Sequence, residues 1–135
     1  MGNDTITITG LVATTPRHII TSEGLDISSF RLASTHRRFD RNAEKWIDGE
    51  TNWFTVTCFR QLATNVASSV NKGERLVVTG TLRIREWESG EAKGTTAEVE
   101  AEAAGHDLTW GTSTYSRPTA AKDISEADES GIPAE

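Results

Sequence analysis

The sequence predicts an all-β barrel carrying one short helix. Two patterns in its 135 residues lead there. Strand-period alternation recurs in separate segments, and the stretch between the third and fourth of these switches to helical spacing. Three strands, a helix and then a two-strand hairpin fit the OB-fold, a five-stranded Greek-key barrel. An SH3-like barrel or a β-sandwich would accommodate the same strand count. The helix between strands three and four, with the hairpin after it, favours the OB arrangement.

"TITITGLV" (5–12) alternates Thr with Ile6 and Ile8 and reads as the first strand. A short segment, "PRHII", then runs into "TSEGLD", where Gly24 marks a turn. "DISSFRLAS" (26–34) puts Phe30 and Leu32 on one side, Arg31 and Ala33 on the other. The next eighteen residues, "THRRFDRNAEKWIDGETN", are charged and without apolar period, so a long functional loop is expected. "WFTVTCFR" alternates again as the third strand. "RQLATNVASSVNK" (60–72) spaces Leu62, Val66 and Val70 four apart, and Gly73 follows as a helix stop. "ERLVVTGTLRIREW" (74–87) is a long fourth strand, which "ESGEAKG" turns into "TTAEVEAEAAG" (95–105). Residues 1–112 form one domain in this reading. Residues 113–135 form a flexible acidic tail, because Pro, Ala, Ser and acids cannot bury enough apolar surface to fold.

Composition excludes several classes. No apolar run approaches the ~20 residues that cross a bilayer, and "MGNDTITITG" has neither the basic nor the apolar block of a signal peptide. A cytoplasmic chain with no membrane association is expected. Cys58 is the only cysteine, in apolar surroundings, and reads as a buried side chain. His18, His36 and His106 lie far apart without ligand spacing, so no metal is expected. There is no Gly-rich phosphate loop and no catalytic motif, so neither a cofactor nor an enzyme is expected.

A net charge of −6 argues at first against a nucleic-acid partner. Its distribution reverses that reading. Residues 118–135 hold one basic and five acidic residues, whereas residues 30–94 hold 11 basic against 8 acidic, a balance of +3.

Side chains alternate across a strand. In the third strand Phe54, Val56 and Cys58 share the core face, which leaves Trp53, Thr55, Thr57 and Phe59 opposite. In the fourth strand Leu76, Val78, Leu82 and Ile84 make the core face, and Arg83, Arg85 and Trp87 lie on the other. Rings beside guanidinium groups on the outside of a barrel suit single-stranded nucleic acid, since bases stack on the rings and cations follow the phosphates. Arg37, Arg38, Arg41 and Lys45 make the long loop basic, so it either joins that surface or is an ordinary solvated loop. Trp46 and Trp110 are expected to pack against loops.

"TITITGLVATTP", "FRLAST" with the basic stretch after it, and "DGETNWFTVTCFRQLATNVASSVNKGERLVVTGTLRIREW" together resemble bacterial single-stranded DNA-binding proteins over residues 3 to 112. "GHDLTWGT" and "RRFDRNAEKWIDGETN" look like the form found in high-GC Gram-positive bacteria, as a second, shorter paralogue. The resemblance implies a homotetramer that wraps single-stranded DNA in replication, repair or recombination, associated with the nucleoid. It implies stacking roles for Trp53, Phe59 and Trp87, which strand parity already puts outside. Phe39 stands where the family has a stacking tryptophan, one residue out of register. Lys72, Arg83 and Arg85 fall on basic positions of the family, and Arg60 is displaced by one. The competing expectation is a non-catalytic OB module of replication restart that meets DNA mainly through partners. Relatives of this kind close their acidic tail with a proline-phenylalanine tip. This chain ends Ile132-Pro133-Ala134-Glu135, so recruitment of replication or repair proteins through the tail is not expected.

Overall fold

The apolar residues of the alternating segments converge on one core. In the computed structural model, which describes residues 4–118, the elements are β1 (Thr5–Val12), β2 (Arg17–Ile20), β3 (Asp26–Asp40), β4 (Lys45–Phe59), α1 (Arg60–Ser69), β5 (Arg75–Ser89) and β6 (Ala92–His106). They form one sheet in the order β1-β5-β6-β4-β3-β2, and an additional pairing of β1 with β3 closes it. Neighbours are antiparallel except β4 and β6, which run parallel. This is the expected OB barrel. The five expected strands are all present, and "RHII" adds β2, an exposed edge strand paired, among the described residues, only to β3.

Val12, Leu32, Val56, Cys58, Leu76, Val78 and Val99 are inaccessible to solvent, with Phe30 nearly so. Helix α1 adds Ala63 and Val66, and Val70 just beyond it completes the cluster. Buried Ser28 donates its hydroxyl to the Ala63 carbonyl at 2.7 Å, which ties the helix to β3 and leaves no orphaned donor. Gly73 is not the helix stop expected: α1 ends at Ser69 with extended Val70 as its cap, and Gly73 instead takes the left-handed region at φ +95° in the turn that leads into β5, where no Cβ penalty applies. Burial pushes the Cys58 thiol up to about 11, so it stays a neutral packing group. At Gly80 β5 presses so closely on β6 that a Cβ would sit 2.1 Å from the Glu100 carbonyl oxygen. The register of the two strands shifts at the same point, which makes this a bulge that only glycine fits.

The eighteen residues expected as a loop are instead most of a hairpin. β3 runs on to Asp40 and β4 starts at Lys45, with pairing from Thr35↔Thr51 to Asp40↔Lys45. The arm stands clear of the barrel and buries neither face, so selection for apolar alternation is absent there. Its turn is made by Asp40, whose Oδ1 accepts from the N–H groups of Asn42 (2.9 Å) and Ala43 (3.4 Å). That is an Asx-type turn, and Glu44 completes it at φ +55°.

Strand β5 also outruns the core. Ile84, expected inside, is 62% exposed. Its parity is right, but the strand has passed the barrel rim and nothing packs over that side. The β5–β6 turn is shorter than "ESGEAKG", closing from Ser89 to Ala92 through Gly90 and Glu91. At the other end Glu74 accepts from the Asn71 N–H (3.0 Å) and from His106 (2.9 Å), whose other ring nitrogen meets Ser113 at 2.8 Å. Residues 113–118 carry no regular element, and the rest of the expected tail lies outside the described residues.

Candidate nucleic-acid interface

Register decides which outward side chains share a surface. Arg83 on β5 pairs with Glu98 on β6, Glu98 with Thr55 on β4, and Thr55 with Arg31 on β3. The row beside it runs Thr81, Glu100, Thr57 and Ser29. With strands about 4.8 Å apart, four of them make a continuous face some 15 Å across. Trp53 rises from this face 51% exposed. Its cross-strand partner is the small Ala33, and the Arg31 guanidinium lies 5.3 Å from its ring centroid. Trp87 is 44% exposed and pairs with Gly94, whose missing Cβ makes room for the ring: one built there would lie 2.8 Å from Trp87 Cζ2.

The face continues along the arm. β3 keeps its alternation through the register shift between Thr35 and Arg37, so Thr35, Arg37 and Phe39 follow Arg31 and Ala33 on one side. Phe39 pairs with Trp46, and the two rings meet edge to face at 5.7 Å, both largely exposed. Arg37 pairs with Asp48 at 3.3 Å.

Phe59, Thr57, Arg83, Arg85, Glu98, Val99 and Glu100 enclose a shallow hollow of about 170 Å³ on the face. Both of its arginines are engaged: Arg83 reaches Glu100 at 3.2 Å and Arg85 reaches Glu98 at 3.3 Å. All four side chains keep substantial solvent exposure, so these pairs add little to stability.

The remaining candidates are not gathered here. Arg38 lies on the opposite side of β3, beside Ile47. Arg41 is at the tip of the arm. Arg60 begins α1 in the left-handed region at φ +61° and is exposed. Lys72 belongs to the turn before β5, fifteen residues from Trp87 and at the other end of that strand. The charge of the expected loop made Arg38 and Arg41 candidates and the family resemblance made Arg60 and Lys72 so, and the paths of β3, α1 and β5 separate them from the aromatic face.

Residues 3–107 match the single-strand binding protein family. The chain belongs to that family. A relative, the single-stranded DNA-binding protein 2 of Tropheryma whipplei, is 55% identical over 112 residues, covering 83% of this chain and 74% of the relative. The protein of the same name from Streptomyces avermitilis is 44% identical, covering 87% and 75%. Among solved structures, the small single-stranded DNA-binding protein of Streptomyces coelicolor matches with a TM-score of 0.76 at 42% identity, over 82% of this chain and all of that one. These sources agree with the high-GC Gram-positive form that the motifs resemble, and two of the relatives are second paralogues by name.

Set in this single-strand binding family member, two residues were missed by sequence reasoning as parts of the surface. Arg31 is outward by parity, but its place against Trp53 follows from the β3–β4 register. Trp46 was expected to pack against a loop and instead packs on Phe39, because the loop is a hairpin. Trp110 lies 57% exposed under the Arg75 guanidinium, 4.4 Å from its centroid, at the barrel end away from this face.

Proposed function

We propose that the protein binds and protects single-stranded DNA in replication, repair or recombination, largely without regard to sequence. Bases stack on Trp53, Phe59, Trp87 and Phe39, while phosphates follow Arg31, Arg37, Arg83 and Arg85, with Arg41 at the arm tip. The observation that carries this reading is the four-strand outer face bearing two exposed tryptophans beside arginines. An exposed ring is costly to keep in water unless it is covered part of the time, and stacking is worth about 1–3 kcal/mol per base for any base. Catalysis plays no part in this reading. Lys72, Arg38 and Arg60 lie off the face and would serve only DNA that continues around the barrel.

The binding unit is an oligomer, which we take to be a homotetramer. Four stacking sites give roughly 4–12 kcal/mol before ordering costs, and micromolar affinity already takes about 8. Linked barrels raise the effective concentration for each further contact. β1 pairs with β3 only at Leu11 and Val12, so its edge from Thr5 to Gly10 has no strand on that side among the described residues. A second copy can use such an edge.

One observation favours the competing reading of a module that meets DNA through partners. Arg83 and Arg85 already hold carboxylates. Titration of labelled oligo-dT across a salt series separates the two. Direct binding gives tight association whose logarithm falls linearly with log salt. Absence of binding by the purified oligomer would refute our reading, as would a monomer that binds at nanomolar strength.

A further inference from the structure

A bulge in the arm decides where Trp46 points. Thr35 pairs with Thr51 and Arg37 with Asp48, so His36 of β3 stands opposite both Gly49 and Glu50 of β4. The strands press together there: a Cβ on Gly49 would lie 2.9 Å from the His36 carbonyl oxygen. Side chains alternate across a strand. Counted from Trp53 without a break, Thr51, Gly49, Ile47 and Lys45 would share its side, and Trp46 would take the other. The extra residue reverses the count, and bulges re-aim side chains in this way. Thr51, Asp48 and Trp46 now follow Trp53 on one side, opposite Thr35, Arg37 and Phe39. The contacts agree: Thr35 Oγ1 meets Thr51 Oγ1 at 2.8 Å, Arg37 meets Asp48, and Phe39 meets Trp46. Ile47, the apolar residue that unbroken alternation would have put here, is turned away beside Arg38.

We propose that Trp46 is a further base-stacking residue, turned to the side of Trp53 by the bulge, and that it holds a base of its own. This rests on the DNA-binding reading above and extends it along the arm. No core receives the ring, which is 59% exposed. Among the described residues its one ring-to-ring contact is with Phe39, whose plane crosses it at 71°. An edge-to-face contact covers one face of one ring and leaves the other faces open to a flat partner. With the planes crossed, a single base cannot lie on both rings, so Trp46 adds a site to that of Phe39. Cations for the phosphates stand close by, with Arg37 on the same side and Arg41 at the tip. Phe39 lies six residues beyond Ala33, the partner of Trp53. At the rise of a strand that carries the stacking surface about 20 Å out from the barrel face.

The test is titration of oligo-dT, long enough to reach from barrel face to arm, against the full-length protein and four variants: Trp46→Ala, Phe39→Ala, the double variant and Trp46→Phe. The arm stands clear of the barrel, so all four should melt as wild type does. Trp46→Ala is expected to weaken binding about 5- to 150-fold, the range for one stacked base, and to do so in the Phe39→Ala background as well. That background has already lost the ring pair, so a loss there belongs to the base contact. Trp46→Phe should keep most of the affinity, while the fluorescence quenched at saturation falls because one stacked indole is gone. Unchanged affinity in Trp46→Ala would overturn the proposal. So would a loss that disappears in the Phe39→Ala background, which would make Trp46 a prop for Phe39, or a quench in Trp46→Phe equal to that of wild type. Wild-type protein that did not bind oligo-dT would overturn the DNA-binding reading itself, and this inference with it.

Discussion

Trp53 and Phe54 are neighbours in sequence, yet the structure gives them opposite consequences. Trp53 keeps half its surface in water, with Arg31 against its ring, while Phe54 packs on the core from the other side of β4. Trp53→Ala removes about half of a ring's burial and an exposed cation–π contact. That amounts to about 1–2 kcal/mol of folding stability once the compactness of the unfolded chain is allowed for. Affinity for single strands should fall by a further, separate ~1–3 kcal/mol per site, about 5- to 150-fold. Phe54→Ala opens a cavity in the core wall. Because the ring is only partly buried, its cost belongs near the lower end of the range for such truncations, about 3 kcal/mol, and affinity of the folded protein should stay within about twofold. Thermal melts and oligo-dT titrations on both variants check this. Undiminished affinity in Trp53→Ala would refute the reasoning. So would a greater loss of stability in Trp53→Ala than in Phe54→Ala, which would mean that the strand faces are assigned the wrong way round.

Gly94→Val should reproduce most of the binding loss of Trp87→Ala, since a Cβ there would lie 2.8 Å from the Trp87 ring and displace it; titration of the two variants side by side decides. Arg41 has no ion-pair partner among the described residues, whereas Arg37 holds Asp48. Arg41→Ala should therefore reduce the slope of log affinity against log salt by ~0.7 and Arg37→Ala by less. The Asn71 N–H, with His106 and the Asn71 amide, holds the Glu74 carboxyl below its ordinary 4.5. A depressed pKa means that this stabilisation is full above pH 4.5 and is lost as pH falls through the lowered value. Melts of Glu74→Gln from about pH 6 to about pH 3 should accordingly show a shallower acid decline than wild type. Deleting residues 118–135, five acids against one base, should modestly tighten DNA binding at low salt. The difference should close as the Debye length shrinks from ~10 Å at 0.1 M to ~3 Å at 1 M.

Period-2 alternation was enough to establish the five strands and the sides of most of their residues. It identified Val56, Cys58, Leu76 and Val78 as core, and all four are buried, as are Phe30 and Leu32, which it put together on one side of their strand. The same alternation put Trp53, Arg83, Arg85 and Trp87 outside, since a side chain's face follows from local geometry alone. It failed where an element buries nothing. The β3–β4 arm is wet on both sides, so its pairing left no apolar period, and the only sequence trace is the Asp40-Arg41-Asn42 turn chemistry. Ile84 failed for the related reason that parity names a side of a strand but not whether anything covers it. What lies beside what across strands was beyond the sequence altogether. That Arg31 would meet Trp53, that Phe39 would meet Trp46, and that two glutamates would stand between β4 and β5 are matters of register. Register is set by the closure of the whole barrel, through the parallel β4–β6 pairing and the bulge at Gly80. The sequence alone determined which side of its strand each side chain takes, and the tertiary structure decided which sides are covered and which exposed side chains share one surface.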